Sequence, residues 1–186
     1  MAGIYLHIPF CRQACHYCNF HFSTSLRLKN DLLIALQHEI TLQQHYLPQK
    51  EIATVYFGGG TPSLLSGTEI EGLLNQIQQY YTILPDAEIT LEANPDDLTP
   101  QKLTELKQAG VNRLSIGIQS FFDADLQYMN RAHNATQALQ CIVAAQNTGF
   151  TNLSIDLIYA TPTLTPQQWL QNLQTAVHLH IPHVSA

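Results

Sequence analysis

Short runs of strand character separated by longer stretches of helical periodicity limit this chain's fold more than any other feature. The runs are IYLHI (4–8), ATVYF (53–57), EITLE (88–92), RLSIG (113–117) and LSIDLI (153–158), and HVS (183–185) begins a sixth. Helix signals fall between them. Leu33, Leu36 and Ile40 recur on one face. Ser66 and Glu69 form a capping box ahead of Ile70, Leu73, Leu74 and Ile77. Thr99-Pro100 starts another helix, which Gly110 stops, and Thr165-Pro166 with Gln168 repeats that start signal. A further helix runs through Leu139, Ile142 and Val143 to Gly149. This order predicts parallel strands joined by crossover helices. The expected fold is α/β, a partial TIM-type (β/α)6 barrel, with a doubly wound open sheet as the alternative. One domain over residues 1–186 is expected. Its end on strand six reads as a truncation that leaves out a C-terminal domain, and the exposed strand edge predicts a poorly soluble or oligomeric chain.

Side chains alternate across a strand, so each run can be sorted by face. Ile4, Leu6 and Ile8 oppose Tyr5 and His7; Ile89 and Leu91 oppose Glu88, Thr90 and Glu92. Leu114, Ile116 and Ile118 oppose Ser115, Gly117 and Gln119; Leu153, Ile155 and Leu157 oppose Ser154 and Asp156. The apolar faces must meet the helices. The polar faces then point into the barrel, where Tyr5, Glu92, Gln119 and Asp156 replace the branched apolar residues of a packed interior. Carboxylates buried there without partners would cost several kcal/mol, roughly. A polar ligand, water or a satisfied internal network is therefore expected.

The sequence FCRQACHYCNF places Cys11, Cys15 and Cys18 on the loop after the first strand. Thiolates suit iron–sulfur clusters or zinc. Three thiolates can hold three corners of a cubane cluster and leave the fourth iron open. A Cys3His zinc site can also be written with His21. Cys141 stands apart in a helical pattern and reads as a buried small hydrophobe. A content of 45% hydrophobic and 12% charged residues excludes a disordered chain. Eight basic against fourteen acidic residues, with no basic block, give no footprint for nucleic acid. No secretory leader and no spanning apolar run are read, so a cytoplasmic location is expected, where clustered cysteines serve metal or redox chemistry.

YLHIPFCRQACHYCNF resembles the opening of the radical SAM superfamily. More narrowly it is similar to the oxygen-independent coproporphyrinogen III oxidases and the HemW-like heme chaperones. FGGGTPSLL (57–65), EANPDDLT (92–99), GVNRLSIGIQSF (110–121), NRAH (130–133) and IDLIY (155–159) extend the likeness over the whole chain. The resemblance implies a [4Fe–4S] cluster on Cys11, Cys15 and Cys18 that chelates S-adenosylmethionine (SAM). One electron then cleaves the sulfonium. It places Gly59, Gly60 and Thr61 at the SAM amino group and Tyr17 near adenine. It makes Tyr5, Glu92, Gln119, Arg131 and Asp156 polar SAM-binding positions.

The resemblance also implies an electron-donor protein and heme or porphyrinogen as a further ligand. A chaperone would need a heme-accepting protein, with heme bound only by the longer protein. The oxidases carry a cysteine two residues past the triad, where this chain has Phe20, and a longer N-terminal segment. Both differences favour the chaperone branch. ATPTLT (160–165) stands where relatives carry GLPGQT, and Asn130 where a glycine often precedes the arginine.

Overall fold

The computed structural model describes residues 2–186. Six strands form one parallel sheet: β1 (Ala2–Ile8), β2 (Glu51–Gly59), β3 (Thr82–Ala93), β4 (Arg113–Gln119), β5 (Asn152–Leu157) and β6 (His183–Ser185). Their spatial order is their order in the chain, and every neighbouring pair is parallel. A doubly wound sheet would reverse direction at a switch point. This one does not, and it is an open arc of a TIM-type barrel. Helices α1 (Lys29–Leu42), α2 (Gly67–Gln78), α3 (Pro100–Gln108), α5 (Ala135–Asn147) and α6 (Pro166–His178) connect the strands. A short α4 (Asp123–Tyr128) follows β4 and had no signal in the sequence.

The core lies between the outer sheet face and these helices. Leu6, Ile8, Leu91, Leu114, Ile116, Ile118, Leu153 and Ile155 are buried there, as alternation requires. From the helix side come Ile70, Leu73, Leu74 and Ile77 of α2 and Leu103 and Leu106 of α3. Each such side chain contributes about 1.5–3 kcal/mol on leaving water. Capping follows the sequence signals: Ser66 and Glu69 form the reciprocal box of α2, and Thr165 and Gln168 that of α6. Thr99 accepts from the Lys102 amide ahead of Pro100. Gly110 and Gly149 follow their helices with positive φ, 97° and 88°.

Two elements go beyond their sequence signals. In α5 the buried stripe is Ala138, Cys141, Ile142 and Ala145, while Leu139 and Val143 face solvent. β3 begins six residues earlier than EITLE. Its start pairs Thr82 and Ile83 with β2, and a register shift then absorbs the Pro85-Asp86 turn signal.

Candidate functional site

The cysteine loop is clamped at its base. The Cys11 amide donates to the Ser23 carbonyl at 3.0 Å, and the Ser23 amide to that of Pro9 at 2.8 Å. Buried Phe10 anchors the same turn in the core. Three further contacts fix the loop across the barrel mouth. Arg12 Nε pairs with Asp97 at 2.8 Å, and Ser63 donates to the other oxygen of that buried carboxylate. Gln13 Nε2 donates to the carbonyl and side chain of Asn130, whose Nδ2 returns a bond to the Ala14 carbonyl. The His16 amide donates to the Met129 carbonyl at 3.1 Å. Asn130 adopts φ 56° at the centre of this docking. Asparagine is among the few side chains that enter the left-handed region readily.

Cys11, Cys15 and Cys18 line one cavity of about 310 Å³ at the C-terminal ends of the strands. Tyr17, Gly59, Gly60, Thr61, Glu92, Gln119, Arg131 and Asp156 line it too. Eleven of the twelve expected site residues are thus gathered in one place. Tyr5 is the exception. It shares the inner face, is 57% exposed, meets His7 Nδ1 at 3.0 Å and stacks on Tyr56. Among the described residues, no three His, Cys, Asp or Glu side chains gather tightly enough to grip a single metal ion.

Arg131 organises one wall. Its Nη1 donates to Cys15 Sγ at 3.3 Å and to the Tyr17 hydroxyl at 3.2 Å; its Nη2 donates to Asn94 Oδ1 at 2.7 Å and the Gly117 carbonyl at 2.8 Å. The buried Nε has no partner. Glu92 organises the opposite wall: it accepts the Gly59 amide at 3.0 Å and the Tyr56 hydroxyl at 2.8 Å. Burial, then the bond to Glu92, pushes the Tyr56 hydroxyl well above its usual range. Burial and the neighbouring Glu92 raise the Asp156 carboxyl. Burial also raises the Cys11 thiol, with Thr61 opposing and the other two cysteines adding.

The glycines are there because nothing else fits. A Cβ on Gly60 would stand 2.6 Å from the Phe10 carbonyl oxygen and 2.9 Å from Cys11 Sγ. A Cβ on Gly59 would meet His7 and the Ile8 amide, and its φ is 119°. Gln119 carries φ 67°. There the Ser120 amide reaches back to the Ile118 carbonyl at 2.9 Å, a tight three-residue turn that breaks register between β4 and β5.

Sequence reasoning missed Tyr56 and Asn94, and it set Ser115 and Gly117 on the inner face without assigning them to the site. Alternation offered the signal for the first two, since Tyr56 precedes Gly58 on the inner face and Asn94 follows Glu92 on it.

A family model described as the radical SAM superfamily matches residues 5–176. The chain is 37% identical over 188 residues to heme chaperone HemW of Mycobacterium tuberculosis (strain ATCC 25618 / H37Rv), covering 99% of this chain and 48% of that protein. It is 35% identical to heme chaperone HemW of Escherichia coli (strain K12), covering 98% and 49%. The chain therefore spans about half the length of the curated relatives it matches. Among solved structures it matches coproporphyrinogen III oxidase (HemN) from Escherichia coli, a radical SAM enzyme, at a TM-score of 0.87. That match has 29% identity over 99% of this chain and 44% of the other. With the cysteine loop set at the mouth of a parallel half-barrel and the family match running from β1 into α6, this chain belongs to the radical SAM superfamily.

Proposed function

We propose that the chain is the cluster- and SAM-binding part of a HemW-like heme chaperone. The observation that carries the reading is the single cavity that holds all three loop cysteines together with Glu92, Gln119, Arg131 and Asp156. Membership of the superfamily implies the [4Fe–4S] cluster and SAM. The residues fit them on three counts. Three thiolates on one clamped loop leave one corner of a cubane free. Gly60 has no room for a side chain between Phe10 and Cys11. The buried Nε of Arg131 is an unspent donor beside the thiols.

When bound, the cluster supplies one electron at low potential and an open iron, and SAM supplies the sulfonium that this electron cleaves. Cys11, Cys15 and Cys18 hold the cluster. Gly59, Gly60 and Thr61 offer close backbone approach to an amino group. Glu92 and Asp156 accept from hydroxyls or amines, and Gln119 adds a further polar contact. Arg131 sets a guanidinium against the ligand carboxylate. Tyr17 borders the cavity as a surface for a base. Tyr5, outside that cavity, stacks on Tyr56, whose hydroxyl donates to Glu92.

In the longer protein we place heme as cargo, a heme-accepting protein as its destination and an electron-donor protein as the cluster's reductant. The cytoplasm is the compartment that keeps such thiols reduced. No described helix is long and apolar enough to cross a membrane.

Anaerobic reconstitution with iron and sulfide, followed by EPR of the reduced protein, tests the assignment. A [4Fe–4S] signal that changes shape when SAM is added is expected, and Cys15→Ala should abolish it. Stoichiometric zinc without a cluster would overturn it. The second reading, porphyrinogen oxidation, draws on the fold match to the oxidase. Phe20 stands against it, 77% exposed where a further cysteine is expected of an oxidase. Porphyrinogen turnover by the full-length protein would reverse the order of the two readings.

A further inference from the structure

Next in the chain to the wall residue Gln119 begins a second polar assembly, none of whose members lines the cavity. Asp125, in α4, is 1% exposed. No Lys or Arg bonds to it. Its partners are hydroxyls: Ser120 Oγ donates to Oδ2 at 2.8 Å and Thr161 Oγ1 to Oδ1 at 3.0 Å, and Thr163 Oγ1 also donates to Oδ1. Asn172 of α6 is fully buried beside them. Its Nδ2 donates to Ser120 Oγ at 3.2 Å, and its Oδ1 accepts the Phe121 amide at 2.9 Å. The assembly joins the end of β4, α4, α6 and the loop after β5.

A carboxylate this deep is costly unless every lone pair is used. Two of its donors come from the loop 158–165. That loop carries two conformational costs: Ala160 at φ 60°, and no helix or strand bonds along most of its length. The third donor, Ser120, follows Gln119 directly, and Gln119 also sits at positive φ in its tight turn. Strained residues persist only where their surroundings over-determine them. The Ile158 amide bonds to the Gln119 carbonyl at 2.9 Å and so ties the two strained segments to each other. Gln119 and Asp156, two residues before Ile158, both line the cavity.

We infer that Asp125 is a positioning residue: through Ser120, Thr161 and Thr163 it locks the β4 turn and the β5 loop, and thereby fixes Gln119 and Asp156 at the cavity rim. Its consequence for SAM rests on the function proposed above; its consequence for the backbone does not.

The test uses the 186-residue chain with and without the reconstituted cluster. In the cluster-free protein, hydrogen exchange is compared between wild type, Asp125→Ala and the double variant Thr161→Val/Thr163→Val. Removing a hydrogen-bonded buried carboxylate should speed exchange in 119–122 and 158–165 by about tenfold or more, with α2 and α3 unchanged. The threonine pair should reproduce the effect in 158–165 and keeps the test open if Asp125→Ala does not fold. In reconstituted protein the same variants should weaken SAM binding, read by calorimetry, by about tenfold, while the cluster's absorption spectrum stays intact. Uniform loss of protection across all helices, or none at 158–165, would overturn the inference. A wild type that holds a cluster and ignores SAM would sink the function reading alone, since the exchange pattern would still stand.

Discussion

Position 160 turns left-handed, φ 60°, under an alanine side chain. The same excursion occurs at Asn130, where the side chain tolerates it, and at Gln119, where a network holds it. Alanine lacks a tolerant side chain, and its Cβ meets the following carbonyl. Ala160→Gly should therefore raise stability by about 0.5–1 kcal/mol, the relief of strain exceeding the added freedom of the unfolded chain. Urea unfolding would measure it, and an unchanged midpoint would contradict it. The sequence held a trace of this strain, because a glycine is expected at both 130 and 160 from the family pattern. It held none for His133. That ring is 3% exposed, and Nε2 must donate to the Ile118 carbonyl at 3.1 Å because a carbonyl only accepts. Burial, then the charge of Arg131, lowers its pKa to about 4 from 6.5. Between those values the unfolded chain binds a proton that the folded chain refuses. Stability is then full above pH 6.5 and falls as pH drops toward 4, by about 3 kcal/mol at the acid limit. NMR titration of the His133 ring checks this; a midpoint near 6.5 would refute it.

At the scale of elements, what sequence could disclose depended on whether the determinant was local. The α2 box needs only Ser66 and Glu69, and both halves of it formed. Ser66→Ala should cost about 1 kcal/mol through the lost bond to the Glu69 amide, read in thermal or denaturant unfolding. The box of α5 was equally local, with Asn134 accepting from Gln137, but Asn and Gln make a quieter signature than Ser and Glu. The buried face of α5 was not local at all. Leu139, Ile142 and Val143 compete for one sheet, and only the packing partner decides which turn inward. Here α5 presents Ala138, Cys141, Ile142 and Ala145. Cys141 behaves as the sequence implied: its thiol donates to the Ala138 carbonyl at 3.2 Å, and burial pushes its pKa up to about 12. The two readings of the helix separate cleanly by mutation. Ile142→Ala should destabilise by about 2–4 kcal/mol, whereas Val143→Lys should stay within about 0.5 kcal/mol. Equal losses would contradict this buried face. The site was legible for the same reason that α2 was: its residues cluster on a loop and at strand ends where alternation fixes direction. The Asp125 assembly was not, because its partners come from the β4 turn, the loop 158–165 and α6 and leave no spacing to read.

At the scale of the whole molecule, the sheet of the described residues is open: there β1 and β6 each pair with one neighbour and present a row of unpaired backbone groups. The two edges are not equal hazards. β6 contributes Val184, 37% exposed, as its one large apolar side chain. β1 has seven residues and lies beside a cavity bordered by Leu36, Ile40, Tyr46 and Leu47 of the α1 region, with Tyr46 largely exposed. On α6, Leu170 and Val177 are exposed as well. A net charge of −6 opposes association, but charge on the surface acts weakly against backbone pairing at close range in physiological salt. Edge pairing should win. The 186-residue chain is then expected to elute in sizing chromatography as a concentration-dependent mixture rather than a single monomer. Lysine guards an edge by demanding water, and His7 is an exposed edge residue of β1. His7→Lys should shift the mixture toward monomer more than Val184→Lys at β6 does, with circular dichroism confirming that both variants keep the fold. A sharp monomer peak across the whole concentration range would remove the premise. A larger response to Val184→Lys would move the sticky edge to β6.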